Sequence, residues 1–139
     1  MAAIPTVFSA SPFAEDHVAL DQIVSAQALK FKVEASATVA SALAVLRKVR
    51  IPIVLVERDL PPSWRDLLLC AAQLPAPPLL IVTSRLADER LWAEALNVGA
   101  YDVLAKPFEV QEVCRVVEAA WRQWSERHEN RRVSVARSR

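Results

Sequence analysis

Two short apolar runs, PIVLVE at 52–57 and PLLIVT at 78–83, constrain the fold of this chain more than any other feature. Neither approaches the ~20 apolar residues that a membrane span needs. Both are continuous rather than alternating, so neither has a polar face to turn to water. That is the pattern of a strand covered on both sides. The first run ends abruptly: IVLV passes into Glu57, Arg58 and Asp59, and then two prolines stop the strand.

The remaining segments supply what such strands need around them. Residues 5–10 (PTVFSA) read as a short strand. Ser11 stands where an N-cap belongs and Pro12 at the first helical position, which predicts a helix to about Ala28. Residues 31–35 (FKVEA) alternate as a strand does, and Ser36 is placed to cap a second helix with Val39, Leu43, Leu46 and Val49 on one face. Ser63 opens a third helix carrying Leu67, Leu68 and Cys70 to about Leu74. Residues 87–98 are helical in period, with Gly99, the only glycine, as their stop. Residues 101–105 form a fifth strand. A last helix begins near Glu109, where Val110, Val113, Val117, Trp121 and Trp124 trace one stripe. Five strands alternating with five helices predict an α/β sandwich, a doubly wound parallel sheet with helices on both faces. Ligands in such sheets bind beyond the carboxyl ends of the strands. Glu57, at the end of a central strand, therefore lies on a functional edge.

The 139 residues suffice for one domain. No basic region precedes the short apolar run at the N-terminus, so no signal peptide is expected. Cys70 and Cys114 are isolated and read as reduced thiols of a cytoplasmic protein. The net charge of +1 is unevenly spread: residues 1–120 hold 11 basic and 14 acidic side chains, and residues 121–139 hold 6 Arg and 2 Glu. The expected division is a domain over 1–124 and a basic tail over 125–139, the end of the last helix followed by a structureless end. The excess of +4 in the tail is too small to favour nucleic acid as a partner.

VGAYDVLAKPF at 98–108 resembles the closing signature of response-regulator receiver domains, in which a Gly-Ala turn feeds a fifth strand ending in Lys-Pro. IVLVERDLPP at 53–62 resembles their third strand, which carries the phosphoacceptor Asp four residues before a proline. The resemblance covers roughly residues 4–124 and implies the flavodoxin-like, receiver (CheY-like) topology with strand order 2-1-3-4-5. It also implies a role in bacterial two-component, or phosphorelay, signalling. Carried over by position, Lys106 matches the lysine that pairs with the phosphoryl group, and Pro107 follows it through an expected cis bond. Thr83 matches the switch hydroxyl; Ser84 competes with it, because the spacing to Lys106 is one residue longer than usual. Glu57 falls on the phosphoacceptor position.

The departures from that pattern carry more information. The acidic pair that holds Mg²⁺ in receivers is replaced by Ser9, Ala10 and Ser11, so Mg²⁺ binding is expected to be lost and no cofactor is expected. Glu15 and Asp16 fall one turn into the expected first helix and are not taken as ligands. Glu is one methylene longer than Asp, which displaces its carboxylate from the in-line geometry of phosphoryl transfer. Asp59 is the alternative acceptor, past the strand end. Val103 stands where many receivers carry the aromatic that swings inward. These substitutions describe a degenerate, or pseudo-, receiver.

Glu57 either mimics a phosphorylated Asp or keeps an ion pair with Lys106 after the site decayed. Trp92 lies off the inward stripe of the fourth helix. With Arg90 and Tyr101 it marks a face of the fourth helix, fifth strand and fifth helix that suits a protein partner or a second copy in a homodimer. Trp64, after the third strand, either caps the emptied pocket or rests on a neighbouring helix. Trp121 and Trp124 read as packing. No Gly-x-Ser-x-Gly elbow, glycine-rich phosphate loop or metal-ligand cluster is present, so no enzyme is expected. The expected activity is that of an atypical receiver acting through protein–protein contact. A working phosphoacceptor at Asp59 or Glu57 is the second reading.

Overall fold

The computed structural model describes residues 5–26 and 31–137, the last nine of these as backbone alone. The elements in chain order are β1 (Thr6–Ala10), α1 (Ala14–Ala26), β2 (Lys32–Ser36), α2 (Val39–Leu46), β3 (Ile53–Glu57), α3 (Trp64–Ala71), β4 (Leu79–Ser84), α4 (Glu89–Asn97), β5 (Asp102–Ala105) and α5 (Val110–Arg137). The five strands form one parallel sheet in the order β2-β1-β3-β4-β5. This is the expected doubly wound architecture.

The two continuous apolar runs occupy the middle of the sheet, as a strand with no polar face must, and every residue of β3 and β4 is buried. Their side chains alternate between two cores. Val54, Val56 and Val82 join α2, α3 and α4 on one face; Ile53, Leu55 and Ile81 join α1 and α5 on the other. Each fully buried aliphatic side chain contributes about 1.5–3 kcal/mol relative to its exposed state. β2, at the edge, is mostly exposed or half-buried, which fits its alternating sequence.

Element ends differ from the sequence expectation where capping chemistry decides them. α1 begins at Ala14, two residues later than Pro12, and the expected end at Ala28 lies outside the described residues. Ser36 is the last residue of β2, and Thr38 is the cap of α2: its side chain accepts from the Ser41 backbone N–H, and Ser41 returns the bond to the Thr38 N–H. α2 ends at Leu46, which leaves Val49 half exposed rather than on the inward face. Ser63 is the N-cap of α3 but makes no side-chain cap bond, and α3 stops at Ala71, with Cys70 exposed instead of packed. Gly99 ends α4 at φ +93, a conformation that other residues rarely adopt. α5 continues as helix through Arg137, into the segment expected to be structureless. No helix among the described residues is long and apolar enough to cross a membrane.

Candidate functional site

One register pairing and three backbone hydrogen bonds fix the carboxyl edge of the sheet. Glu57 pairs with Thr83 across β3 and β4. Beyond the strand ends, the Arg58 N–H donates to the Thr83 carbonyl (2.9 Å), the Lys106 N–H to the Ser84 carbonyl (2.9 Å), and the Leu60 N–H to the Glu57 carbonyl (3.0 Å). Because side chains alternate along a strand, Glu57, Thr83 and Lys106 share the parity of Leu55, Ile81 and Leu104, which pack toward α1 and α5. Ser84 has the opposite parity, that of Val82. Register and parity together place Thr83, not Ser84, beside Glu57 on the face that Lys106 enters. The Ser84 hydroxyl accepts instead from the Leu86 N–H at 3.0 Å, within its own loop.

Lys106 is buried and its ammonium is fully engaged. Nζ lies 3.1 Å from Glu57 Oε1 and 2.8 Å from Asp16 Oδ2, and 4.8 Å from the centre of the Phe13 ring. The three charged side chains are only 3–8% exposed. Two carboxylates thus share one ammonium, all three largely withdrawn from solvent, where charges must be paired to be tolerated. Hydrogen bonds complete the arrangement. The Ser11 hydroxyl donates to Asp16 Oδ2 at 2.6 Å, and the Asp59 N–H donates to Glu57 Oε2. Lys106–Pro107 is a cis peptide bond.

Asp16 is the residue that sequence reasoning passed over. A helix starting at Pro12 would carry Asp16 one turn away from the edge. α1 instead starts at Ala14, so Asp16 falls in its first turn, at the positive end of the helix dipole and against the sheet edge. The Ser11 hydroxyl, expected as a helix cap, accepts from the Phe13 N–H and donates to Asp16. His17 was likewise passed over. Its ring bonds Ser9 Oγ at 2.8 Å and the Ser11 carbonyl at 3.1 Å, tying α1 to the end of β1. The one sequence signal was the acidic first turn itself, but acidic first turns are common without any site.

The other candidates lie around this edge. Asp59 is exposed and 3.7 Å from Arg58. A cleft of about 340 Å³ is lined by Phe13, Glu15, Glu57, Arg58, Asp59, Ser84, Arg85, Leu86 and Lys106. Trp64 does not cap the pocket; it is buried in the core of the α2–α4 face, with Arg65 5.3 Å over its ring. Trp92 is 38% exposed, but Arg90 does not stand beside it. Arg90 and Arg65 both reach Glu94, at 3.6 and 2.5 Å, so Arg90 faces α3, on the flank of α4 opposite to Trp92. The neighbour of Trp92 on its own flank is Leu96, one turn on and 51% exposed. Tyr101 is half-buried against the α1/α5 core.

The chain superposes on a signal receiver domain from Vibrio parahaemolyticus with a TM-score of 0.82 at 17% identity, covering 91% of this chain and 96% of that one. A second solved structure, the signal receiver domain of an HD domain-containing protein from Pseudomonas fluorescens, gives a TM-score of 0.82 at 23% identity, with 93% and 95% covered. The chain has the receiver fold. A CheY-like response regulator receiver domain protein from Methanospirillum hungatei matches it at a TM-score of 0.78 and 18% identity, over 90% of this chain and 99% of that one. No protein-family model matches the sequence, and no curated protein matches it. Glu57 at the end of β3, Thr83 on β4 and Lys106 just after β5 stand on the carboxyl edge of the sheet, the edge at which open α/β sheets bind their ligands.

Proposed function

We propose that the chain is a degenerate receiver module of two-component signalling that no longer takes a phosphoryl group and acts, without catalysis, by binding a protein. One observation carries this reading: Lys106, which in receivers attends the phosphoryl group, is held between Glu57 and Asp16 and shielded by Phe13. An anion entering the site meets two carboxylates and an ammonium already shared between them.

The donor set does not fit the Mg²⁺ that receivers use. Ser9, Ala10 and Ser11 offer no carboxylate, and both acids at the site are committed, Asp16 to Ser11 and Lys106, Glu57 to Lys106 and the Asp59 N–H. Thr83 remains in place as a relic of the switch, and Val103, where an aromatic would swing, is fixed in the core. With these parts immobile, the outer face stays in one state. Its apolar output surface is Trp92 with Leu96 on the open flank of α4, next to β5. The setting this implies is the cytoplasm.

The test is incubation with acetyl phosphate and Mg²⁺, followed by intact-mass measurement after a short delay. The expected spectrum is that of the unmodified chain. A phosphoryl adduct mapped to Asp59 or Glu57 overturns the proposal and establishes the altered phosphoacceptor instead.

A further inference from the structure

We propose that the edge of the sheet opposite the candidate site, where the strands begin, binds the phosphate backbone of nucleic acid with little sequence preference. In the sequence the basic tail stands alone. The fold brings a second basic cluster to the same end of the molecule. α2 stops at Leu46, and Arg47, Lys48 and Arg50 follow it, all exposed, in the turn that leads to β3. The Leu79 N–H donates to the Pro52 carbonyl at 2.8 Å, and Trp124 Nε1 donates to the Pro77 carbonyl at 3.2 Å. These contacts join the α2–β3 turn, the α3–β4 loop and the far half of α5 into one edge, to which α5 adds the exposed Arg122 and Arg127.

The turn at 47–50 has no acid near it in sequence, whereas Glu118 and Glu126 flank Arg122 on α5 without pairing with it. Residues 35–56 contain no Asp or Glu, and none of the five cations makes an ion pair among the described residues. By sequence, residues 121–139 carry +4 and the 47–50 cluster +3, so the rest of a chain of net +1 carries −6. Glu15, Asp16, Glu57 and Asp59 stand at the opposite, carboxyl edge of the sheet, an asymmetry that favours approach of a polyanion from the edge where the strands begin.

Phosphate is the ligand chemistry that fits best. Four of the five cations are arginines, whose planar fork matches phosphate oxygens. Val49 is the one large apolar residue exposed within the cluster, too little for insertion into a lipid surface. α5 runs on 13 residues past Trp124, from 125 to 137, about 20 Å at ~1.5 Å per residue. Cations at a helix C-terminus also offset its dipole, so variants are to be read for folding as well as binding.

The experiment titrates the full chain into a labelled mixed-sequence duplex of ~20 base pairs, between about 50 and 200 mM salt. Wild type is expected to bind with log K falling by about 4.5 per decade of salt, the slope of five phosphate contacts. The triple substitution Arg47→Ala, Lys48→Ala, Arg50→Ala is expected to weaken binding about tenfold or more and to reduce the slope by about 3. Arg115→Ala, on the exposed side of α5 away from this edge, is expected to bind as wild type. Far-UV circular dichroism checks the fold, and if the triple variant is unfolded, Arg50→Ala alone is to lower the slope by about 1. No binding at the lowest salt, an unchanged slope in the folded variants, or preferential capture by phosphatidylserine vesicles would each overturn the proposal.

Discussion

Lys106 sets the electrostatics of the site by itself. With two carboxylates on one ammonium, the site retains a negative charge, and the three side chains tolerate removal unequally. Glu57→Gln or Asp16→Asn leaves Lys106 one carboxylate and removes a like-charge contact, so each is expected to cost about 1–2 kcal/mol. Lys106→Met leaves two buried carboxylates facing each other and is expected to cost about 3–5 kcal/mol. Urea unfolding of the three variants checks this order, and a Lys106→Met variant no weaker than the other two would sink the shared-ammonium account. The cysteines differ in the same local way. Burial, and secondarily Glu118, raises the Cys114 thiol pKa above its ordinary value, while Cys70 is exposed. A thiol reagent at neutral pH is therefore expected to label Cys70 first, with Cys114 gaining reactivity only as pH rises and its thiolate forms. At this scale the sequence was half legible. Glu57 and Lys106 announce themselves by standing at the ends of apolar strands. Asp16 does not, because its reach to Lys106 depends on where α1 begins, a matter of two residues.

Elements were legible in kind and less so at their ends. β3 and β4 are unmistakable because an uninterrupted apolar run has nowhere to go but the middle of a parallel sheet. Caps were harder to read, since a serine ahead of an apolar stretch is a common pattern and only geometry shows which hydroxyl reaches an N–H. Ser11, Ser36 and Ser63 all look like caps, yet Thr38 and Asp88 make the cap bonds to Ser41 and Leu91. The consequence is measurable. Thr38→Ala removes a reciprocal capping box and is expected to cost about 1 kcal/mol. Ser63→Ala removes no cap bond and is expected to stay within about 0.5 kcal/mol of wild type. Thermal or urea unfolding separates the two, and equal losses would show that the hydroxyls are not what holds these helix ends.

For the molecule as a whole, the question is which outward face is built to meet a partner. The fold was legible from alternation alone, but the outward face was not. An arginine two residues from a tryptophan in sequence suggested one patch, and helical geometry instead sends them to opposite flanks of α4, because residues two apart are ~200° apart around the helix. Arg90 is drawn toward α3 by Glu94, which leaves Trp92 and Leu96 as an apolar pair with no arginine among them. A tryptophan and a leucine at i and i+4, both substantially exposed, form a suitable anchor for a second copy across a two-fold axis, since the same patch can meet itself. Self-association through this face is thus expected in the unmodified protein, and phosphatase or acetyl phosphate should leave it unchanged. Sedimentation velocity over a concentration series checks it: wild type is expected to shift toward dimer as concentration rises. Trp92→Ala with Leu96→Ser should weaken that shift at least about tenfold, the loss typical of a central aromatic anchor. Arg90→Ala, on the other flank, should leave it intact. A wild type that stays monomeric throughout, or a dimer indifferent to Trp92 and Leu96, would take this face out of the proposed function.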